Sequence, residues 1–257
     1  MAALNSDQKL LKDHVAIVTG ASSGIGAAVA RHLAEAGAMV AMAARREDRL
    51  TTLRQEIEKN GGVAIAVKTD VTNRNEVKEL VRHTESTLGP VDIIVNNAGV
   101  MYYTMMKNLH EDDWERTVDV NCKGVLNSIG AVLDGMVARG KGHIVNLSSD
   151  LGRTAFAGLA VYTGSKFFVE GMSAALRQEL VGTGIKVTNI QPGDVTTEIF
   201  NASTDQETKE KYDTSINQSY KFLDPEDIAR AIVYAVSQPP HVAVNEILIE
   251  PREAPAF

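Results

Sequence analysis

The chain has 257 residues, 44% of them hydrophobic, which suits one α/β domain or two small ones. A formal net charge of −7 without a basic patch argues against nucleic acid and anionic membrane as partners. The lone Cys122 excludes an internal disulfide and fits a reducing cytoplasm, and neither an apolar signal core nor a run of ~18–20 apolar residues is present.

Short β-branched runs alternate with longer segments of helical period. The strand candidates are Val15–Thr19, Met39–Ala43, Ala64–Lys68, Ile93–Asn96, His143–Leu147, Lys186–Ile190 and Ala243–Ile249. Between them lie apolar helical stripes. Ile25, Ala28, Val29 and Leu33 form the first, closed by Gly37; Leu50, Leu53 and Ile57 form the second, stopped by Asn60-Gly61-Gly62. Val77, Leu80, Val81 and Leu88 form the third, stopped by Gly89-Pro90, and Asp224-Pro225-Glu226-Asp227 reads as a helix start. The alternation predicts an α/β fold, a doubly wound parallel sheet of about seven strands with helices on both faces, as a single domain over 1–257. The stretch 198–221 is polar, charged and poorly patterned, and is expected to be a mobile substrate lid.

Tyr162 and Lys166 stand four residues apart, so on a helix they share one face. A cation about 4 Å from a phenol, at an effective dielectric of ~20, favours phenolate by roughly 4 kcal/mol before desolvation. At ~1.36 kcal/mol per unit this would bring an ordinary tyrosine from ~10 to about 7–8, where general acid–base work is efficient. Tyr103 and Lys107 have the same spacing, but Ser149 lies thirteen residues before Tyr162, whereas Pro90 holds that place before Tyr103.

In Ser149, Tyr162 and Lys166 the chain resembles the short-chain dehydrogenase/reductase family, and the likeness runs from about Asp13 to Pro251. The resemblance implies that Ser149 polarises a substrate oxygen and Tyr162 exchanges its proton. It implies that Lys166 binds the nicotinamide ribose and lowers the Tyr162 pKa. It places Asn121 in a distorted helix, holding a water of the proton relay.

Gly20-Ala21-Ser22-Ser23-Gly24-Ile25-Gly26 follows the first strand, where glycines allow backbone N–H groups to approach a pyrophosphate at a helix N-terminus. The resemblance assigns Asp70 and Val71 to the adenine ring and Asn97, Ala98 and Gly99 to a turn beside the cofactor. It assigns Pro192, Gly193, Val195 and Thr197 to the carboxamide. Cofactor choice follows from charge. The second strand ends at Ala44 rather than at an acid, and Arg45 and Arg46 follow, so a 2′-phosphate is favoured and NADP is expected over NAD; Ser22 adds a hydroxyl.

The expected reaction is hydride transfer between NADP(H) and a ketone, keto acid or secondary alcohol. No His/Cys cluster implies a metal. Candidate pocket residues are Met101, Tyr102, Leu151, Arg153, Phe156, Phe200, Tyr212, Tyr220 and Phe222. The C-terminal strand lacks the Gly-Gly of acyl-carrier-protein ketoreductases and looks more like the 3-hydroxy-acid dehydrogenase and carbonyl reductase branch. The family commonly pairs its helices into a homodimer or homotetramer, which is expected here. A silent dinucleotide sensor and a lyase or epimerase on the same scaffold are the competing readings, separated from a reductase by NADPH turnover.

Overall fold

Seven strands pair in parallel in the order β3-β2-β1-β4-β5-β6-β7. They are β1 (Val15–Thr19), β2 (Met39–Ala44), β3 (Val63–Lys68), β4 (Ile93–Asn96), β5 (Gly142–Leu147), β6 (Ile185–Pro192) and β7 (Glu246–Ile249). The computed structural model describes residues 9–211 and 220–254, with the side chain of Lys211 left aside. The expected strands are all present, with ends shifted by a few residues. The largest change is β7, expected from Ala243. Before Glu246 side chains add to one backbone bond, Asn189 N to the Asn245 carbonyl at 2.9 Å: Thr188 donates to the Val244 carbonyl at 2.6 Å and Lys186 to those of Gln238 and Val242 at 3.0 and 3.4 Å.

Alternation along each strand divides the core in two. Ala16, Val18, Val40, Met42, Val95, Val145 and Ile190 face helices α1 (Gly24–Glu35), α2 (Glu47–Lys59) and α8 (Pro225–Val236). Ile17, Ala41, Ile94, Ile144 and Val187 face α3 (Arg74–Thr87), α5 (Gly124–Arg139) and α6 (Ala160–Glu179). Leu33, Leu50 and Leu80 are fully buried, and each such side chain contributes roughly 1.5–3 kcal/mol. The predicted start of α8 carries a capping box between Asp224 and Asp227 with Pro225 in its first turn. No helix among the described residues is long and apolar enough to cross a membrane.

Two shorter α-helices are also present among the described residues, α4 (Glu111–Val118) and α7 (Gln206–Lys211). α7 lies within the segment read as a lid. Its described part is tied down by Ser203, Asp205 and Thr208, all buried. Ser203 Oγ accepts from Tyr103 N at 2.8 Å, Asp205 Oδ2 from Met105 N at 2.9 Å, and Thr208 donates to the Tyr103 carbonyl at 2.7 Å. Residues 212–219 of that segment, including Tyr212, lie outside the described residues.

Candidate active site

Sequential connections leave β1 in one direction and β4 in the other, so the adjacent carboxyl ends of these strands open a crevice. A cavity of about 720 Å³ occupies it. One end is built on glycine. Gly20 has φ +67°, and a Cβ there would stand 2.8 Å from Ala98 Cα; at Gly26 it would stand 2.4 Å from both the Gly20 carbonyl and Asn97 Nδ2. Asn97 Nδ2 donates to the carbonyls of Thr19 and Gly20 at 2.9 and 3.3 Å. Thr19 Oγ1 accepts from the backbone of Asn97 and Ala98, both at 3.1 Å. These bonds fix the glycine turn to the turn after β4, and α1 points its N-terminus into the space between them.

At the rim, Arg46 is already engaged. Its guanidinium donates to Ser22 Oγ at 3.0 and 2.9 Å, to Ser23 Oγ at 2.7 Å and to Glu198 at 2.9 Å. Glu198 also accepts from Arg49 at 2.7 and 2.9 Å, and these arginines hold its carboxyl below the usual range. Burial opposes ionisation of Asp70, but hydrogen bonds from Thr72 and the nearby Arg116 and Arg45 hold its pKa low.

The other end gathers the expected chemical residues. Ser149, Tyr162 and Lys166 are all buried and all line the cavity. Ser149 Oγ donates to Asp150 Oδ1 at 2.7 Å and accepts from Leu151 N at 3.2 Å. Lys166 Nζ donates to the Leu147 carbonyl at 2.8 Å and stands 5.4 Å from the Tyr162 ring centroid.

One expectation is corrected here. Burial pushes the Tyr162 phenol well above its ordinary value; the Ser149 hydroxyl works against this, while Asp150 and Tyr103 add to it. The same burial draws the Lys166 ammonium down to about 8, with Cys122 and Glu170 opposing. Attraction between the pair favours the phenolate, but desolvation of both partners outweighs it. The phenol is therefore neutral at pH 7, as a proton donor should be.

Asn121 sits in a π-helical stretch, Asp119–Lys123, between α4 and α5. Its side chain clamps the loop after β4. It accepts from Val100 N at 2.9 Å and donates to the Val100 carbonyl at 2.9 Å and Ser165 Oγ at 3.0 Å. The helix is thus distorted where the resemblance implies it should be.

All the residues expected to contact cofactor line the cavity: Gly20, Ser22, Ser23, Gly24, Ile25, Gly26, Arg45, Arg46, Asp70, Val71, Asn97, Ala98, Gly99, Pro192, Gly193, Val195 and Thr197. Of the expected substrate wall, Met101, Leu151, Phe156, Phe200, Tyr220 and Phe222 line it too. Tyr102 and Arg153 do not; Arg153 is drawn away by an ion pair with Glu246. The sequence reading missed Asp150, Asp194 and Glu198. Asp150 follows Ser149 directly, and that adjacency was the available signal; the other two come from the turn after β6.

A sequence profile for the family described as short chain dehydrogenase matches residues 14–208. The glycine betaine reductase ATRR of Emericella nidulans is 55% identical over 245 residues, covering 95% of this chain but only 19% of that protein. An uncharacterized oxidoreductase of Listeria monocytogenes is 43% identical over 247 residues, covering 95% of this chain and 99% of the relative. The closed form of a serine dehydrogenase complexed with NADP+ superposes with a TM-score of 0.83 at 34% identity, covering 91% of this chain and 94% of that one. With the crevice, the glycine turn and the Ser149–Tyr162–Lys166 cluster, these likenesses place the chain in the short-chain dehydrogenase/reductase family of oxidoreductases.

Proposed function

We propose that the chain is an NADP(H)-dependent carbonyl reductase of small to medium substrates. The observation that carries this reading is one cavity lined by Ser149, Tyr162 and Lys166 at one end and by an arginine-rimmed glycine turn at the other. Three features of that turn suit NADP(H). A side chain at Gly20 or Gly26 would fill the cradle, α1 offers unpaired N–H groups, and Arg46, Ser22 and Arg45 stand where an acid would repel a 2′-phosphate. When bound, the cofactor supplies the hydride that becomes the new C–H bond of the alcohol.

The chain's own residues do the rest. Tyr162 and Ser149 hydrogen-bond the carbonyl oxygen, and Tyr162 delivers its proton there as negative charge develops. Lys166, held by the Leu147 carbonyl, places its ammonium where it stabilises the phenolate left behind and the cofactor ribose. Asn121 positions the loop at Val100 and anchors a water route that returns the proton. Asp70, Val71, Asn97, Ala98 and Gly99 would line the nucleotide, and Pro192, Gly193, Val195 and Thr197 the carboxamide.

The 198–221 segment is read as the lid of this site, bringing Phe200 and Tyr220 to the cavity. Exposed Phe167 on α6 and Leu126 on α5 support a homodimer or homotetramer built on those helices, and the lone cysteine suits a cytoplasmic location. The fungal relative's name supports carbonyl reduction as a class and goes no further, given how little of that protein the chain spans. The test is NADPH oxidation against a panel of aldehydes, ketones and keto acids. One alcohol formed per NADPH consumed is expected. Cofactor binding without consumption on any carbonyl would favour a silent sensor.

A further inference from the structure

We propose that the carbonyl substrate carries a permanently cationic, alkylated ammonium group close to its reacting carbon. The inference rests on the reductase reading above and specifies what its substrate end takes. That end holds two carboxylates, Asp150 and Asp194, within an otherwise apolar and aromatic wall. Among the described residues neither has an ion-pair partner; Arg153, the nearest arginine in sequence, is committed to Glu246. The other two acids of the lining are paired, Glu198 with Arg46 and Arg49 and Asp70 with Arg116.

Position sets where the cation falls. Asp150 Oδ1 lies 2.7 Å from Ser149 Oγ, the hydroxyl assigned to the carbonyl oxygen. That oxygen would stand about 2.8 Å from Ser149, so a cation against Asp150 sits roughly two or three bonds from the carbonyl carbon. Asp194 anchors the far side, accepting from the Tyr220 hydroxyl at 2.5 Å. Tyr220 and Phe222 have ring centroids 5.6 Å apart at 45°, and Phe200 and Phe222 6.3 Å apart at 39°. These tilted rings form a faceted wall and not a stack, beside a carboxylate. Aromatic faces with adjacent negative charge attract alkylated ammonium, which needs no hydrogen-bond acceptor.

Hydrogen bonding argues for alkylation too. Asp150 already accepts from Ser149 and Leu151 N, and Asp194 from Tyr220, so diffuse positive charge is what both still lack. Burial and the charge of Asp194 both oppose ionisation of Asp150, and a cation between them would relieve that repulsion. Keto acids meet the opposite condition. Their carboxylate would face Asp150 and Asp194, while Lys166, the cation of that end, is committed to the Leu147 carbonyl, and they should be poor substrates.

The experiment compares trimethylammonioacetaldehyde with 3,3-dimethylbutanal, its neutral isostere, in the full chain with NADPH. At least about a tenfold higher kcat/KM for the cation is expected. In Asp150→Asn/Asp194→Asn the ratio should collapse toward one. A wild-type ratio at or below one, or a high ratio that survives the double substitution, overturns the proposal. If the double variant does not fold, calorimetry of the NADP-loaded wild type with trimethylammonioethanol and 3,3-dimethylbutan-1-ol decides. Binding at least tenfold tighter for the cationic alcohol supports the proposal, and equal binding overturns it. If the neutral aldehyde is reduced as well as the cationic one, only the charge inference fails. If no carbonyl consumes NADPH, the reductase reading fails with it.

Discussion

Replacing Arg46 by alanine, alone and together with Arg45, is a sharp test of cofactor choice. The Arg46 guanidinium is held before any ligand arrives by three hydrogen bonds to Ser22 and Ser23, at 3.0, 2.9 and 2.7 Å. Little side-chain freedom therefore remains to be lost when a phosphate binds. A charge-assisted bond of this kind is worth about 1.5–3 kcal/mol, or roughly 10–150-fold in affinity. Two effects push toward the low end. Arg46 is 43% exposed, and Glu198 already occupies it at 2.9 Å and must give way. The expectation is an NADPH Kd raised about 10-fold by Arg46→Ala and up to about 100-fold by the double substitution. The NADH Kd should move only fewfold. Both are measured by fluorescence titration at one ionic strength, because exposed charges are screened over about 8 Å at physiological salt. An unchanged ratio of the two dissociation constants would refute the reasoning.

Other perturbations reach different parts of the account. Gly26→Ala places a Cβ 2.4 Å from the Gly20 carbonyl, so about 1–3 kcal/mol of stability and most NADPH affinity should be lost; an unaltered urea midpoint and Kd would contradict the cradle. Asn121→Ala leaves Val100 N and O without their side-chain partner, and should cost about 2–4 kcal/mol in urea unfolding together with most turnover. His143 is lowered by burial, and secondarily by Lys186, to about 3, whereas an unfolded imidazole titrates near ~6.5. Between those values the unfolded chain binds a proton that the native chain refuses, so stability falls as pH drops from about 6.5 toward 3, by up to ~1.36 kcal/mol per unit. His143→Gln should flatten that slope in urea titrations at successive pH values, and an equally steep slope would assign the acid sensitivity elsewhere.

The parts legible in the sequence were those set by local period and spacing. Alternating strand residues and the apolar helical stripes gave the doubly wound sheet, and the glycine turn and Ser149–Tyr162–Lys166 spacing gave the two ends of the cavity. Quantities that depend on assembled surroundings were not legible. Four-residue spacing brings Lys166 near Tyr162, but only the fold shows that both are desolvated and that Nζ turns to Leu147. Glu198 reaches Arg46 across 152 residues, a contact with no local trace. Arg153 is a candidate pocket residue in the sequence, yet Glu246 on β7 captures it. Charge makes the 198–221 segment read as loose, and the bonds of Ser203, Asp205 and Thr208 to the Tyr103–Met105 backbone leave no local trace in the sequence.

The central claim is that Tyr162 delivers the proton during carbonyl reduction, and Tyr162→Phe tests it most directly because it removes one hydroxyl and keeps the ring. Tyr103 makes a poor control, since it lines the same cavity; Tyr234, on α8 and 57% exposed, is a suitable one. General acid catalysis contributes about 10²–10⁴-fold, so kcat in NADPH-dependent reduction should fall by that factor in Tyr162→Phe while the NADPH Kd stays within a fewfold of wild type. Tyr234→Phe should retain full turnover. Turnover by Tyr162→Phe within a fewfold of wild type would contradict the account.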